Sequence, residues 1–235
     1  MAQSANGRIK LFEDFFTEDN IAHTAASRPL GNFTVSGQGC AEVDSGIPTL
    51  NADAISGVGV MTTTDEADHT ILIGTPIAFD VGLMGTIVAE TRVRFVDLDT
   101  KEVFFGFTDV DPEALGLQAA VLTGASTTIT LTASDICGFY LSAELTDDED
   151  WHTVYNGGTT TGETDSTALD CDDDAVIEEW QVLRLELAPN GTVRWFLDGV
   201  LVRTVTGAVS TSVDLSLILA LEAKGAAIEI MHVDY

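Results

Sequence analysis

The sequence LRLELAPNGTVRWFLDG at residues 183–199 contains two strands and two turns. Leucine alternates with a charged residue over 183–187, and Val, Trp and Leu occupy every second position of 193–197. This period of two is typical of strands with one buried face. Pro-Asn-Gly at 189–191 predicts a turn, and Asp-Gly at 198–199 predicts a tight hairpin turn because both residues tolerate positive φ. The segment therefore predicts an antiparallel meander.

The same signature extends through most of the chain, where short Val, Ile, Leu, Phe and Thr runs end at Gly, Asn or Asp. We predict further strands over residues 86–96, 102–108, 127–132, 138–143, 200–205, 213–222 and 226–233. The one predicted helix is a turn or two after residues 111–113, where proline and early acids favour a helix start.

The domain organisation follows from length and local composition. A chain of 235 residues fits one β-sandwich domain, which we place at residues 11–235. Residues 1–10 lack any pattern and predict a flexible arm. Acids, Gly and Thr dominate residues 146–174, which we expect to form acidic loops at the rim, with a short strand at 151–156 between them.

Charge and composition exclude several classes of partner. Lys and Arg contribute 10 charges against 38 from Asp and Glu, so the net charge is -28 and nucleic acid is not an expected partner. No window approaches the roughly 20 apolar residues of a membrane helix, and the polar start predicts no secretory signal. Cys40, Cys137 and Cys171 are odd in number and widely spaced, which predicts buried thiols rather than a disulfide framework or a zinc site.

The strand sequences resemble a known superfamily. EWQVLRLE at 179–186, followed by NGTVRWFLDG at 190–199, resembles the closing meander of concanavalin A-like lectin and glucanase jelly rolls. LFEDF at 11–15 as an opening strand, ETRVRF at 90–95 and FFGFTD at 104–109 support it in the usual order. The resemblance implies an all-β fold, a concanavalin A-like jelly-roll β-sandwich of two antiparallel sheets.

The arrangement of FFGFTD, a long middle section and a closing meander is similar to jelly-roll proteins of tailed bacteriophages. It implies a non-enzymatic virion surface protein, a capsid decoration or cement protein that stabilises the shell. Such a protein would assemble in the host cytoplasm, with the major capsid protein and symmetric copies of itself as partners. The alternatives are a lectin-like glycan-binding module for host attachment and, third, a glycoside hydrolase.

Catalytic residues are not predicted. Laminarinase-type members of the superfamily carry Glu-x-Asp-x-x-Glu on one strand, and the nearest match is EVDSGI at 42–47, where Ile47 replaces the acid/base glutamate. Glu42 and Asp44 are therefore expected to be surface acids. The four histidines are scattered, so no nucleophile has an evident base.

A metal site is one interpretation of the acidic loops. Asp170, Asp172 and Asp174 alternate and could converge on calcium with Asp147, Asp148 or Asp150 from the other loop, because calcium requires six to eight oxygen ligands. The alternative is a solvated acidic rim without a metal.

Two further sets of binding residues are predicted. Trp151, Tyr155 and Asn156 could form an exposed aromatic platform for a sugar, with loop packing as the alternative. Arg8 and Lys10, two of the few cations, could dock the N-terminal arm onto a capsid or a neighbouring subunit.

Overall fold

The computed structural model describes residues 11–13, 15, 27–42, 57–113 and 115–235, which form mainly β-strands. The strands are β1 (Arg28–Leu30), β2 (Phe33–Ser36), β3 (Gly59–Thr62), β4 (Thr70–Gly74), β5 (Phe79–Asp80), β6 (Ile87–Phe95), β7 (Lys101–Thr108), β8 (Leu122–Ala125), β9 (Thr128–Leu131), β10 (Ile136–Ser142), β11 (Asp150–Asn156), β12 (Asp170–Asp174), β13 (Gln181–Leu187), β14 (Val193–Leu197), β15 (Val200–Val205), β16 (Asp214–Ala223) and β17 (Ile230–Asp234). The helical elements are a π-helical turn (Leu117–Val121) and the one-turn helix α1 (Ser166–Leu169).

Two antiparallel sheets form the body of the molecule. Among the described residues, the larger sheet has nine strands in the order β1-β2-β4-β16-β7-β10-β11-β12, with β5 paired to β16. The smaller sheet has six strands in the order β15-β14-β13-β6-β17-β3, and β8 and β9 form a separate hairpin. The predicted β-sandwich of two antiparallel sheets is confirmed.

The meander at residues 181–205 forms one side of the six-stranded sheet and contacts the nine-stranded sheet through Trp195. Leu185 pairs with Trp195 across β13 and β14, and both side chains point into the core, as the period of two predicts. The Trp195 indole N–H donates to the carbonyl of Gly138 on β10 at 2.8 Å, which connects the six-stranded sheet to the nine-stranded sheet.

The two sheets differ in what covers their outer faces. Every residue of β7 and β10 is buried, so the central part of the nine-stranded sheet is covered on both sides. Residues 110–113 and 115–132, which contain the π-helical turn and the β8–β9 hairpin, cover its outer face; we call them the covering segment. In β13 and β14 buried and half-buried residues alternate, because one face of the six-stranded sheet meets solvent.

Some predicted elements are wrong. Residues 170–174 form the edge strand β12 rather than a loop, because their backbone pairs with β11 despite their acidic side chains. Residues 11–13 and 15 are not in a strand. The helical turn begins at Leu117, later than predicted, and is a π-helical turn.

The structure also bears on the predictions for the three cysteines, for membrane-spanning helices and for the N-terminal arm. Cys40 and Cys137 are buried as predicted, whereas Cys171 is partly exposed. No helix within the described residues is long and apolar enough to cross a membrane. The predicted arm at residues 1–10 lies outside the described residues.

We expect Trp195→Phe to lower the free energy of unfolding by about 2 kcal/mol, because it removes the buried hydrogen bond to the Gly138 carbonyl and opens a small cavity. Urea unfolding followed by circular dichroism measures this change. Trp180→Phe, at a half-buried position, is the control and should cost less than half as much. Equal losses in the two variants would contradict the proposed connection between the sheets.

Candidate functional site

An acidic cluster forms where β11 and β12 meet. Asp147, Asp150 and Asp170 bring one carboxylate oxygen each to within 4.8 Å of one another. The register explains the convergence, because Asp150 pairs with Asp174 and His152 pairs with Asp170. Carboxylates at this separation could coordinate one hard cation.

The neighbours of this cluster fix its geometry. His152 is fully buried, and its Nε2 lies 3.2 Å from Asp147 Oδ2. The Ser166 hydroxyl donates to Asp147 Oδ1 at 3.1 Å. The hydrogen bond with Asp174, partial burial and the nearby carboxylates raise the pKa of Asp150 to about 7. A bound cation would therefore compete with a proton at Asp150.

The predicted metal ligands are only partly brought together. Asp170 belongs to the cluster, and the predicted contribution from the other loop comes from Asp147 and Asp150. Asp174 reaches the cluster through its hydrogen bond with Asp150. Asp172 is exposed, with φ of 54°, and lies outside the cluster because the register of β11 and β12 shifts there.

The predicted aromatic platform is not exposed. Trp151 has 0% exposed surface, and its ring lies between Phe95 and Phe139 in the core. Tyr155 is buried against Trp195, because positions 151 and 155 share the inward face of β11. Asn156 is half-buried, and its side chain donates to the carbonyl of Ser134 at 3.3 Å. Trp151 and Tyr155 are therefore core residues.

The other predicted site residues lie outside the described residues or at the surface. Arg8 and Lys10 lie outside the described residues, as does Asp44. Glu42 is exposed, as expected for a surface acid.

The outer face of the six-stranded sheet carries a group of stacked arginines. Arg92 lies 4.7 Å and Arg94 5.3 Å from the ring centre of Trp180, and Arg184 lies 5.6 Å from that of Phe196. The full group, which we call the arginine face, consists of Arg92, Arg94, Arg184, Arg194, Trp180, Phe196 and Tyr235. Arginine at alternate strand positions 92 and 94 was the sequence signal for an outward face.

Ion pairs hold these arginines in place. Arg94 lies 3.3 Å from Glu178, Arg184 lies 2.6 Å from Glu186, and Arg92 pairs with Asp234. The face therefore combines both signs of charge with aromatic rings. Four of the ten Lys and Arg residues lie on it, although the chain has a net charge of -28.

Two buried glutamates, which the sequence pattern did not predict as a site, lie beneath the covering segment. Glu102 on β7 pairs directly with Glu222 on β16, and both have 0% exposed surface. Lys224 Nζ lies 3.9 Å from Glu102 and 3.8 Å from Glu222. The sequence signal was an acid at position 102 and another at position 222, each beside apolar residues of a strand.

Hydrogen bonds partly satisfy these carboxylates. Glu102 Oε1 accepts from the Tyr140 hydroxyl at 2.8 Å and from the Ser142 hydroxyl at 2.9 Å. Glu102 Oε2 has no partner. Burial raises the pKa of Glu102 to about 7, although Lys224 opposes the shift.

Comparison with solved structures shows which fold these sites occupy. The carbohydrate recognition domain of Emp47p is 12% identical with a TM-score of 0.56, over 94% of this chain and 93% of that domain. A sialidase is 9% identical with a TM-score of 0.53; the match covers 93% of this chain but 18% of the sialidase. SO2946 of Shewanella oneidensis MR-1, a protein of unknown function, is 13% identical with a TM-score of 0.52, over 94% and 81% of the two chains.

These similarities confirm the predicted concanavalin A-like jelly-roll fold. No protein-family profile matches the sequence, and no curated protein is significantly similar to it. At these identities the shared feature is the fold, and function has to be argued from the sites.

We expect Asp150→Asn to raise the melting temperature, and to raise it more at pH 8 than at pH 5. The folded state raises the pKa of Asp150 above the ordinary 3.8, so wild type loses stability as the pH rises from about 4 to 7, and the variant avoids that loss. Thermal denaturation at both pH values, with Asp148→Asn as an exposed control, measures the effect. A pH-independent difference between wild type and Asp150→Asn would contradict this assignment.

Proposed function

We propose that this protein is a non-enzymatic virion surface protein, a capsid decoration or cement protein that stabilises the shell. The observation that carries the proposal is the arginine face. In this proposal the outer face of the six-stranded sheet attaches to the major capsid protein, and symmetric copies of the chain occupy the shell. The similarity of FFGFTD and the closing meander to jelly rolls of tailed bacteriophages supports the virion location.

The composition of the arginine face suits a protein partner. Arg, Trp and Tyr are the residue types enriched at the energetic centres of protein interfaces. Their side chains here are already stacked and ion-paired, so binding would immobilise few additional rotamers. A capsid surface with complementary carboxylates and carbonyl groups could accept hydrogen bonds from the guanidinium groups of this face.

The distribution of charge also favours the arginine face as the attachment surface. A surface dominated by carboxylates repels acidic partners over roughly a Debye length of 8 Å. On the arginine face, Arg92, Arg94 and Arg184 are interspersed with Glu178, Glu186 and Asp234, which lowers that repulsion locally. An acidic protein could therefore approach through this face more readily than through its acidic rim.

The non-enzymatic part of the proposal is supported by the position of the paired carboxylates. A glycoside hydrolase needs two carboxyl groups on either side of the scissile bond. Glu102 and Glu222 form a pair of carboxyl groups in the core of the nine-stranded sheet, but both are fully buried beneath the covering segment. A polysaccharide could not reach them in this conformation.

We expect Trp180→Ala to weaken attachment to capsids at least tenfold, because it removes the ring on which Arg92 and Arg94 stack. The test uses capsids assembled from the major capsid protein of the same virus, with occupancy measured by co-sedimentation over a range of protein concentrations.

Arg203→Ala is the matched control, because Arg203 is a cation of the six-stranded sheet that lies off the arginine face and donates to the Ala168 carbonyl. Circular dichroism checks that both variants fold. Undiminished occupancy with Trp180→Ala, or absence of attachment by wild type, would contradict the proposal.

A second candidate function is calcium-dependent glycan binding, which the convergence of Asp147, Asp150 and Asp170 favours. A calcium ion held there could bind sugar hydroxyl groups at the rim of the sandwich. Because a proton competes at Asp150, affinity for calcium should fall as the pH drops below about 7.

We expect calcium, but not sodium at matched ionic strength, to raise the melting temperature at pH 8 by several degrees. Asp147→Asn should abolish the increase, whereas Asp172→Asn, outside the cluster, should retain it. A glycan array with and without calcium then tests sugar binding. Equal shifts in calcium and sodium would indicate a solvated acidic rim and exclude this function for the cluster.

A further inference from the structure

The covering segment is anchored to the sheet by the two buried glutamates. The Leu117 amide donates to Glu222 Oε2 at 2.8 Å, and the Gln118 amide lies 3.3 Å from both oxygens of the same carboxylate. The Gly124 amide donates to Glu102 Oε1 at 3.3 Å. Each carboxylate therefore holds a different part of the segment, the π-helical turn or strand β8.

Apolar contacts complete this attachment. The buried apolar side chains of the segment are Leu115, Leu117, Val121, Leu122 and Ile129, which belong to the hydrophobic core. Further hydrogen bonds hold the segment along its length. The Leu117 amide donates to the Thr70 hydroxyl at 2.7 Å, the Gln38 amide donates to Leu115 O at 2.9 Å, and the Ile129 amide donates to Thr164 O at 2.7 Å. Among the sheet side chains that bond to the backbone of the segment, the two glutamates supply the carboxylates.

The charges beneath the segment do not balance when both glutamates are ionised. The neighbouring elements present four polar or charged side chains to the two glutamates. These are Thr70 of β4, Tyr140 and Ser142 of β10, and Lys224 after β16. Lys224 is the cation among them, and it also pairs with Asp68 at 2.9 Å. Two carboxylates thus share one ammonium group that a third carboxylate also engages.

Glu102 is the group that carries the excess charge. Glu222 Oε2 accepts from two backbone amides and from Thr70, whereas Glu102 Oε2 is buried without a partner. An ionised oxygen without a hydrogen bond in the interior is strongly unfavourable. This cost disappears when a proton neutralises Glu102 or when water solvates its free oxygen.

We propose that the covering segment is a proton-controlled lid, which stays closed while Glu102 is protonated and opens when Glu102 ionises. Opening lets water solvate Glu102 and Glu222 and uncovers the outer face of β7 and β10, where Phe104 and Tyr140 are buried in the closed form. This device is independent of the arginine face, which lies on the opposite sheet.

The direction of the response follows from the linkage between proton binding and closure. The closed lid raises the pKa of Glu102 from the ordinary 4.5 to about 7, so the closed form binds the proton more tightly than the open form. Raising the pH between these values favours opening by up to tenfold per unit, and above about pH 7 the effect levels off.

Hydrogen exchange of the full-length chain at pH 5 and pH 8 tests the lid. We expect the protection of the amides at residues 117–125 to fall roughly 30-fold or more between pH 5 and pH 8. This figure applies after correction for the intrinsic pH dependence of exchange. The amides of β7 and β10 should change several-fold less. In Glu102→Gln, which has the same shape but cannot ionise, the lid should stay protected at both pH values.

Glu144→Gln is the matched control, because Glu144 is an exposed acid beside the β8–β9 hairpin and should leave the response unchanged. Tyr140→Phe gives a second test, since it removes a hydrogen bond that lowers the pKa of Glu102 and should move the midpoint of opening to higher pH. Three results would overturn the proposal: equal loss of protection in β7 and β10, unchanged protection of the lid in wild type, or a persistent response in Glu102→Gln. A midpoint unchanged in Tyr140→Phe would also contradict it.

Discussion

Glu102 and Glu222 face each other across two central strands of a sheet that is buried on both sides, and this pairing constrains the structure around it. Carboxylates in such a position need donors or a counter-charge. The sheet supplies Tyr140, Ser142 and Lys224, and the covering segment supplies backbone amides. The amides of Leu117 and Gln118 are available because the first N–H groups of a helical turn have no partner within it.

The two sheets of the molecule have unlike outer faces. The nine-stranded sheet is closed off by its covering segment, whereas the outer face of the six-stranded sheet carries the arginine face and is open to a partner. The acidic cluster of Asp147, Asp150 and Asp170 occupies a third position, at the edge where β11 and β12 meet. The proposed attachment, cation binding and lid opening would therefore involve separate places on one sandwich.

Much of the fold could be predicted from local sequence pattern. The meander of β13 to β15 combines alternating Leu183, Leu185 and Leu187 with the Asp198-Gly199 turn, and both signals are local. Strand β12 was not predictable in this way, because Asp170–Asp174 has the composition of a loop and is a strand through backbone pairing at a sheet edge.

The candidate sites were less predictable because they depend on faces and on pairs distant in sequence. Trp151 lies in a correctly predicted strand, but the pattern did not show which face of β11 meets the core. Glu102 and Glu222 become a pair only through the register of β7 and β16. Arg92 and Arg94 alternate as an outward face requires, but the ring of Trp180 beneath them is a tertiary contact.

An electron cryo-microscopy reconstruction of the native particle would test the proposed function most directly. We expect density for this chain on the capsid surface, with the outer face of the six-stranded sheet against the major capsid protein and the Asp147–Asp150–Asp170 edge toward solvent. A particle without this density, or one in which the arginine face is fully solvent-exposed, would contradict the proposed mode of attachment.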